Sequence, residues 1–411
     1  MQLKRVVITG MGAISPFGSG VDNLYNALSE NRSAVEFCQN MTKLAGLRSY
    51  VAAYVKGVDY KQIARKYRRS MSPMSIFATL AAGQALAEAA IGEQECSSGR
   101  LGVSIGSTVG STGVTEQFYA DYFSDYSIER MKTTLFFQIM NHSCASNVAQ
   151  TYRINGRLLA PAAACATGSQ AIGYAYEMIA AGRQDMMLCG GADEIHPLTT
   201  ATFDVMNAAS SNYNDTPQQT PRPFACDRDG MVCGEGSGIL LLESLQSARQ
   251  RNAEIIAEVQ GFATMCDTGS IANPDGGVMA ACMENAMADA GVTAADVDYV
   301  NAHATATLQG DIAESHAINS VFGNTVAVSS LKGHLGHTMA ASGALETIAT
   351  VKMLQSGCLL PTLHLDHVDP QCAELDYIKN MRNQAVDVAV KNNFALGGVN
   401  TSLVLRRFAG D

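Results

Sequence analysis

The chain has 411 residues, 47% of them hydrophobic, and a formal net charge of −10. That is enough apolar content for a large core in two domains or two halves, while the acidic balance excludes nucleic acid as a general partner, because like charge repels phosphate. Its 11 cysteines are scattered without paired spacing and without a Cys-x-x-Cys or Cys/His cluster, which excludes a disulfide framework and the usual zinc sites.

Taken in order, Met1 to Arg5 leads straight into the strand-like Val6-Val7-Ile8-Thr9, with no apolar export segment ahead of it and no long apolar run later. The expectation is a cytoplasmic protein, or a peripheral one, with reduced thiols and no membrane span. Gly10-Met11-Gly12 superficially resembles a dinucleotide-binding turn, but the third glycine is absent, so the pair reads as a tight turn over the core. From Asp59 to Ser70 the acidic chain concentrates Lys61, Arg65, Lys66, Arg68 and Arg69. A solvated helix face accounts for them, and so does a docking patch for an acidic partner. Pro73 to Ile91 follows as an alanine-rich helix, and Leu101 to Gly106 as a strand running into a Gly/Ser loop. This alternation makes the protein α/β.

The run Leu158 to Gln170 is the centre of the reading. Short apolar residues before Cys165 suit a buried strand, and Ile172, Ala175, Tyr176 and Ile179 recur behind it at helical spacing until Gly182. A thiol where a strand turns into a helix meets unpaired N–H groups and the positive end of the helix dipole. Those favour thiolate, with a pKa below the free value of about 8.5, and can hold an oxyanion. The plainer alternative is a small buried hydrophobe.

Met186 to Gly191 is a further strand, and Arg222, Asp227, Arg228 and Asp229 are expected to brace a loop by pairing with one another. Gly234-Glu235-Gly236-Ser237 running into Ile239-Leu240-Leu241-Leu242 is echoed by Gly397-Gly398-Val399-Asn400 running into Leu403-Val404-Leu405. The echo suggests a duplicated unit, dividing into residues 1–250 and 251–411. In the second half, the strand Val297 to Asn301 delivers His303, and Val326 to Ser329 delivers Lys332, His334 and His337. A helix from Met339 to Leu354 then carries Glu346. Histidines at strand ends stand where α/β folds place their ligands. His334 and His337 lack a third ligand nearby, so no metal site is expected.

Cys165 in Ala164-Cys165-Ala166-Thr167-Gly168-Ser169, His303 in Val300-Asn301-Ala302-His303-x-Thr305-x-Thr307-x-x-Gly310-Asp311, Lys332-x-x-x-Gly336-His337 and Gly397-Gly398-x-Asn400 occur in one order. Together they resemble the elongating β-ketoacyl-acyl-carrier-protein synthases of type II fatty-acid and polyketide synthesis, over essentially the whole chain. The resemblance implies a thiolase-like fold, two similar α/β halves in a five-layer α-β-α-β-α arrangement. It also implies a homodimer, or a heterodimer with a related condensing-enzyme subunit. Cys165 would be the nucleophile, His303 and His337 its imidazole partners, and Lys332 with Glu346 a supporting ion pair. Thr305 and Thr307 would hold the pantetheine arm, and the backbone N–H groups of Cys165 and Leu396 the oxyanion. No metal or cofactor is implied, since acyl groups arrive on the 4′-phosphopantetheine of acyl-carrier protein. That acidic partner would dock on Lys61, Arg65, Lys66, Arg68 and Arg69.

Ala304, Ala306 and Ala395-Leu396 stand where the resemblance leads one to expect glycine, serine and the Gly-Phe gate of the acyl pocket. The implied reaction is the decarboxylating condensation of fatty-acid elongation. The alternatives are the same chemistry in a dedicated polyene or polyketide pathway, and a silent chain-length-factor-like partner subunit, against which Cys165 counts. A thiolase fits less well, because its terminal glycine loop carries a second cysteine where this chain has Leu396-Gly397-Gly398.

Overall fold

The computed structural model describes residues 3–129 and 131–410. Strand β1 (Val6–Ser15) is buried along its whole length, as befits a strand covered on both faces. It runs through Gly10 and Gly12, so neither glycine makes the turn the sequence suggests. Close approach is their reason: a Cβ on Gly10 would lie 2.2 Å from the Ala85 carbonyl oxygen, and one on Gly12 1.9 Å from that of Ala81. Both carbonyls belong to helix α1 (Pro73–Glu88), which seats directly on the strand.

The first half continues with β2 (Leu101–Gly106), β3 (Leu158–Leu159), β4 (Met186–Asp193) and β5 (Gly236–Ser244). The second half supplies β6 (Ala257–Cys266), β7 (Tyr299–Asn301), β8 (Ala327–Ser329), β9 (Asp376–Tyr377), β10 (Val388–Phe394) and β11 (Val399–Arg407). Hydrogen bonding orders them β9-β8-β7-β10-β11-β6-β1-β5-β4-β2-β3. Each half therefore has its strands in the order third, second, fourth, fifth, first, with β9 added at the edge of the second. The directions match as well. First with fifth and fifth with fourth are antiparallel, and fourth with second and second with third are parallel, in both halves. β5 and β11, which follow the two glycine-rich loops, occupy equivalent places, and the halves join where β1 pairs antiparallel with β6.

Between the halves lie α2 (Thr167–Ala180) and, after α3 (Gly276–Ala290) and α4 (Leu308–Phe322), α5 (Ser342–Ser356). α2 packs on β2, β4 and β5 of the first half and on β6 and β11 of the second, and α5 likewise touches strands of both. α1 covers the outer face of the first half and α3 that of the second. This is the layered, thiolase-like arrangement. Ile172 and Ile179 of α2 pack with Leu345 and Ile348 of α5, Leu240 of β5 and Leu403 of β11 in one buried cluster, each side chain contributing about 1.5–3 kcal/mol by burial.

The two central helices start almost in contact. A Cβ on Gly343 would lie 2.3 Å from the Ser169 backbone nitrogen, and one on Gly168 2.4 Å from the Ala340 carbonyl oxygen. Two glycines thus let the segment before α2, which holds Cys165, meet the segment before α5, which holds His337.

Candidate active site

Strand β3 is shorter than the apolar run suggests, and its Leu158 is 43% exposed. Irregular chain leads instead to Ala164, whose φ of 46° is left-handed, a conformation that costs a non-glycine residue about 1–2 kcal/mol. The Thr167 hydroxyl accepts from the Ala163 N–H at 2.8 Å and helps hold it. Cys165 follows in a one-turn 3-10 segment at the start of α2 and is 7% exposed.

His303 enters from the end of β7. Its backbone N–H and that of Ala304 donate to the Glu314 carboxylate at 2.7 and 2.6 Å, so a residue of α4 anchors the loop. His337 follows a one-turn helix, Lys332–Leu335, and its N–H donates to the Val232 carbonyl at 2.7 Å. The Cys165 sulfur and the facing ring nitrogens of His303 and His337 lie within 4.8 Å of one another. The two rings stand edge to face, centroids 5.2 Å apart. Among the described residues, no other set of three or more His, Cys, Asp or Glu side chains is close enough to share a metal ion.

Burial dominates the electrostatics. It lowers His337 to about 3, helped by the Lys332 ammonium, and lowers His303 well below 6.5, helped by Lys332 and His337. Both rings are therefore neutral at pH 7. Burial also pushes the Cys165 thiol up to about 11, although the Lys332 ammonium and the N–H groups of Leu396 and Cys165 pull the other way. The lowered pKa read from the helix terminus is thus reversed, because taking a thiolate out of water outweighs two N–H dipoles. Lys332 donates to Glu346 at 2.6 Å, both buried. Burial alone would raise Glu346, but Lys332 and Lys391 hold it at about 2.

The trio opens into a cavity of about 360 Å³, lined also by Thr305, Thr307 and Leu396. The two threonine hydroxyls are 3.1 Å apart, and Leu396 is exposed at the mouth. A nucleophilic sulfur, two neutral imidazoles and two converging backbone N–H groups at the floor of such a cavity can bind and cleave a thioester.

The description "Beta-ketoacyl synthase, N-terminal domain" fits residues 3–248, and "Beta-ketoacyl synthase, C-terminal domain" fits residues 256–366. The chain belongs to the β-ketoacyl synthase family. It is 34% identical to 3-oxoacyl-[acyl-carrier-protein] synthase 1 of Escherichia coli K12, over 98% of this chain and 99% of the relative. A crystal structure of a β-ketoacyl synthase from Burkholderia phymatum superposes with a TM-score of 0.95 at 42% identity, covering 98% of this chain and 99% of that one. The ishigamide ketosynthase/chain length factor superposes with 0.92 at 30% identity, over 99% and 100%.

Other positions of this β-ketoacyl synthase chain are placed elsewhere. Lys61, Arg65, Lys66 and Arg69 are exposed on two single-turn segments and do not line the cavity. Arg68 donates to the Tyr60 and Ile63 carbonyls at 3.1 and 3.3 Å, which ties it to its own loop. His334 is remote in function from His337: its ring nitrogens face the Arg32 and Pro361 carbonyls, each at 3.1 Å. Arg222 pairs with Asp227 as expected and also with Asp366, whereas Arg228 reaches across to Asp369 at 2.6 Å. Asp229 accepts from the Ser211 and Asn212 N–H groups. The brace therefore ties the two halves together rather than closing one loop. Ala304 and Ala395 have ordinary negative φ and need no glycine; Ala306 is left-handed at 69°.

Sequence reasoning passed over Glu314, Lys391 and Asn393. The last two were detectable: Lys391-Asn392-Asn393 interrupts a strand that begins Val388-Ala389-Val390, and all three are buried. A polar run inside a fully buried strand has to be satisfied somewhere.

Proposed function

We propose that this chain condenses an acyl group held on Cys165 with a malonyl group on acyl-carrier protein, releasing CO2, free carrier protein and a 3-oxoacyl thioester. The observation that carries the reading is the convergence of one sulfur and two neutral imidazoles within 4.8 Å. As the Cys165 sulfur attacks the thioester carbonyl, the thiol proton passes to the departing pantetheine thiol, so acylation leaves both imidazoles as they were. The N–H groups of Cys165 and Leu396 receive the oxyanion. Malonyl-carrier protein then enters, with Thr305 and Thr307 gripping its arm. His303 and His337 donate to the thioester carbonyl and stabilise the enolate left by decarboxylation, and the enolate takes the acyl group from Cys165. Burial and the Lys332 ammonium keep both rings neutral, while Glu346, which pulls His337 the other way, balances the lysine charge. The chemistry calls on no group beyond these residues and the substrates.

The repeat of strand order supports a division into residues 1–250 and 251–411. Lys61, Arg65, Lys66 and Arg69 are assigned to carrier docking, by their exposure and by charge attraction to an acidic partner. A second chain is assigned to the aromatic face formed by Phe118, Tyr119, Tyr122, Phe123, Tyr126 and Phe136, where Tyr126 is 73% exposed. So large an apolar patch on one chain calls for a cover, and the structure named ketosynthase/chain length factor supports a related subunit as well as a second copy. A reducing cytoplasm suits the free thiols of all 11 cysteines, and no helix among the described residues is long and apolar enough to cross a membrane. The same likeness supports a second reading in which the condensation serves a specialised product.

Incubation with acyl-carrier protein bearing an acyl group should give an acyl adduct by intact mass that is absent in Cys165→Ala. Malonyl-carrier protein should then release the extended product. His303→Ala and His337→Ala should keep the adduct and lose extension; equal loss of both steps would overturn the division of labour, and no adduct in the native protein would leave only a silent partner subunit.

A further inference from the structure

A hydrogen-bond chain behind His303 leads to two residues that the reaction above does not use. Asn393 Nδ2 lies 3.2 Å from His303 Nδ1, and Asn393, unlike His303, does not line the cavity. Asn393 Oδ1 in turn receives Ser169 Oγ at 2.5 Å and the Lys391 ammonium. Lys391 is itself buried, donates to the Asn392 carbonyl at 3.0 Å and lies 2.8 Å from Glu346 Oε2.

These contacts leave little freedom. An ammonium has donors only, so the amide atom facing Lys391 must be oxygen. The atom facing His303 is then the NH2, and His303 Nδ1 must be the acceptor. A neutral ring that accepts at Nδ1 carries its proton on Nε2. We propose that Lys391 and Asn393 are positioning residues for His303: Lys391 locks the Asn393 amide, and the amide locks His303 as the Nε2–H tautomer that donates into the cavity. This rests on the proposed role of His303 in extension.

Several features fit the assignment. A lone serine at 169 could not lock the amide, because a hydroxyl both donates and accepts. Burial lowers Lys391 to about 8, with the Glu346 carboxylate resisting, so the ammonium persists at neutral pH. Glu346 thus serves two lysines, Lys332 by the site and Lys391 behind the ring. The wrong tautomer would present a lone pair to the developing enolate oxygen in place of a donor, and loss of one such donor costs about 10²-fold or more in rate.

The test reverses one polarity. In Asn393→Asp both carboxylate oxygens accept: one keeps Ser169 and Lys391, and the other draws the His303 proton to Nδ1. Extension should fall about 10²-fold while acylation of Cys165 stays within about twofold, and the acid limb of the extension rate should move to higher pH because the carboxylate favours imidazolium. Lys391→Met, which frees the amide to turn, should give a smaller loss and a mixture of tautomers. Ring-nitrogen NMR of histidine-labelled protein, with His303 assigned through His303→Ala, reads the tautomer directly. An Nδ1–H ring in the native protein sinks the inference without any variant. So does unchanged extension in Asn393→Asp, or equal loss of acylation and extension in a folded variant. Failure of acylation in the native protein would instead sink the condensing reaction itself.

Discussion

Replacing Glu346 by glutamine removes the one carboxylate that Lys332 and Lys391 share. Both ammoniums are buried, at 1% and 0% side-chain exposure, and lie 2.6 and 2.8 Å from the two carboxylate oxygens. Breaking a buried pair from one side costs about 3–5 kcal/mol, because an uncompensated charge stays behind. That figure applies to Lys332. Lys391 limits its own share: already at about 8, it becomes neutral at pH 7 after one further unit of depression, about 1.4 kcal/mol. The expected destabilisation of Glu346→Gln is therefore roughly 4–6 kcal/mol. Lys391→Met should behave in the opposite way. It leaves Lys332 and Glu346 as a balanced pair, removes a costly desolvated charge and fills the space, so stability should be level or higher. Thermal midpoints at one scan rate and one protein concentration provide the comparison, since a chain of this size need not unfold reversibly. If Lys391→Met is as damaging as Glu346→Gln, the shared-carboxylate account is wrong.

Gly343→Ala forces the starts of α2 and α5 apart, since its Cβ would lie 2.3 Å from the Ser169 nitrogen. Overpacking of this kind costs about 1–3 kcal/mol, and a displacement near 1 Å between sulfur and imidazole should cut extension about 10²-fold; a fully active variant would refute the close contact. Stability should be nearly level from pH 7 to 4.5 and then drop. His337, held at about 3, and the depressed His303 leave the unfolded chain binding more protons as pH falls from 6.5, which lowers stability. Glu235 and Glu314, both raised to about 7, bind protons preferentially in the fold between 7 and 4.5 and offset that loss. Below about 4.5 the imidazoles are joined by Glu346, which the fold holds at about 2 and the unfolded chain protonates first, each costing about 1.4 kcal/mol per pH unit, so a steep loss already under way at pH 6 contradicts these assignments. Finally, the proposed cover of the aromatic face by a second chain predicts a native mass above that of one chain by light scattering and a fall to one chain in Tyr119→Asp combined with Phe123→Asp; a mass the variant leaves unchanged would refute the assignment of that face.

Periodicity made much of the architecture legible. α2 was readable from Ile172, Ala175, Tyr176 and Ile179, and the repeat from the glycine loops before β5 and β11, because burial of one face imposes a spacing on the chain itself. Gly10 and Gly12 were misread for the converse reason: whether a glycine turns the chain or admits a neighbour depends on what packs against it, here the carbonyls of Ala85 and Ala81. The cations near residue 65 were visible as a cluster, yet only the coordinates separate Arg68, tied to its own loop, from its exposed neighbours.

The site divides along the same line. Residue types and positions marked Cys165, His303 and His337 as candidates, since a thiol at a helix start and histidines at strand ends are local features, and the resemblance of their motifs to a family supplied the expected roles. Their meeting within 4.8 Å, the burial that raises the thiol and the contacts of Lys391 and Asn393 are set by the tertiary structure. Desolvation and hydrogen-bond polarity are set by atoms that lie far away in sequence, and β10, which brings Asn393 to the back of His303, is 90 residues further along the chain.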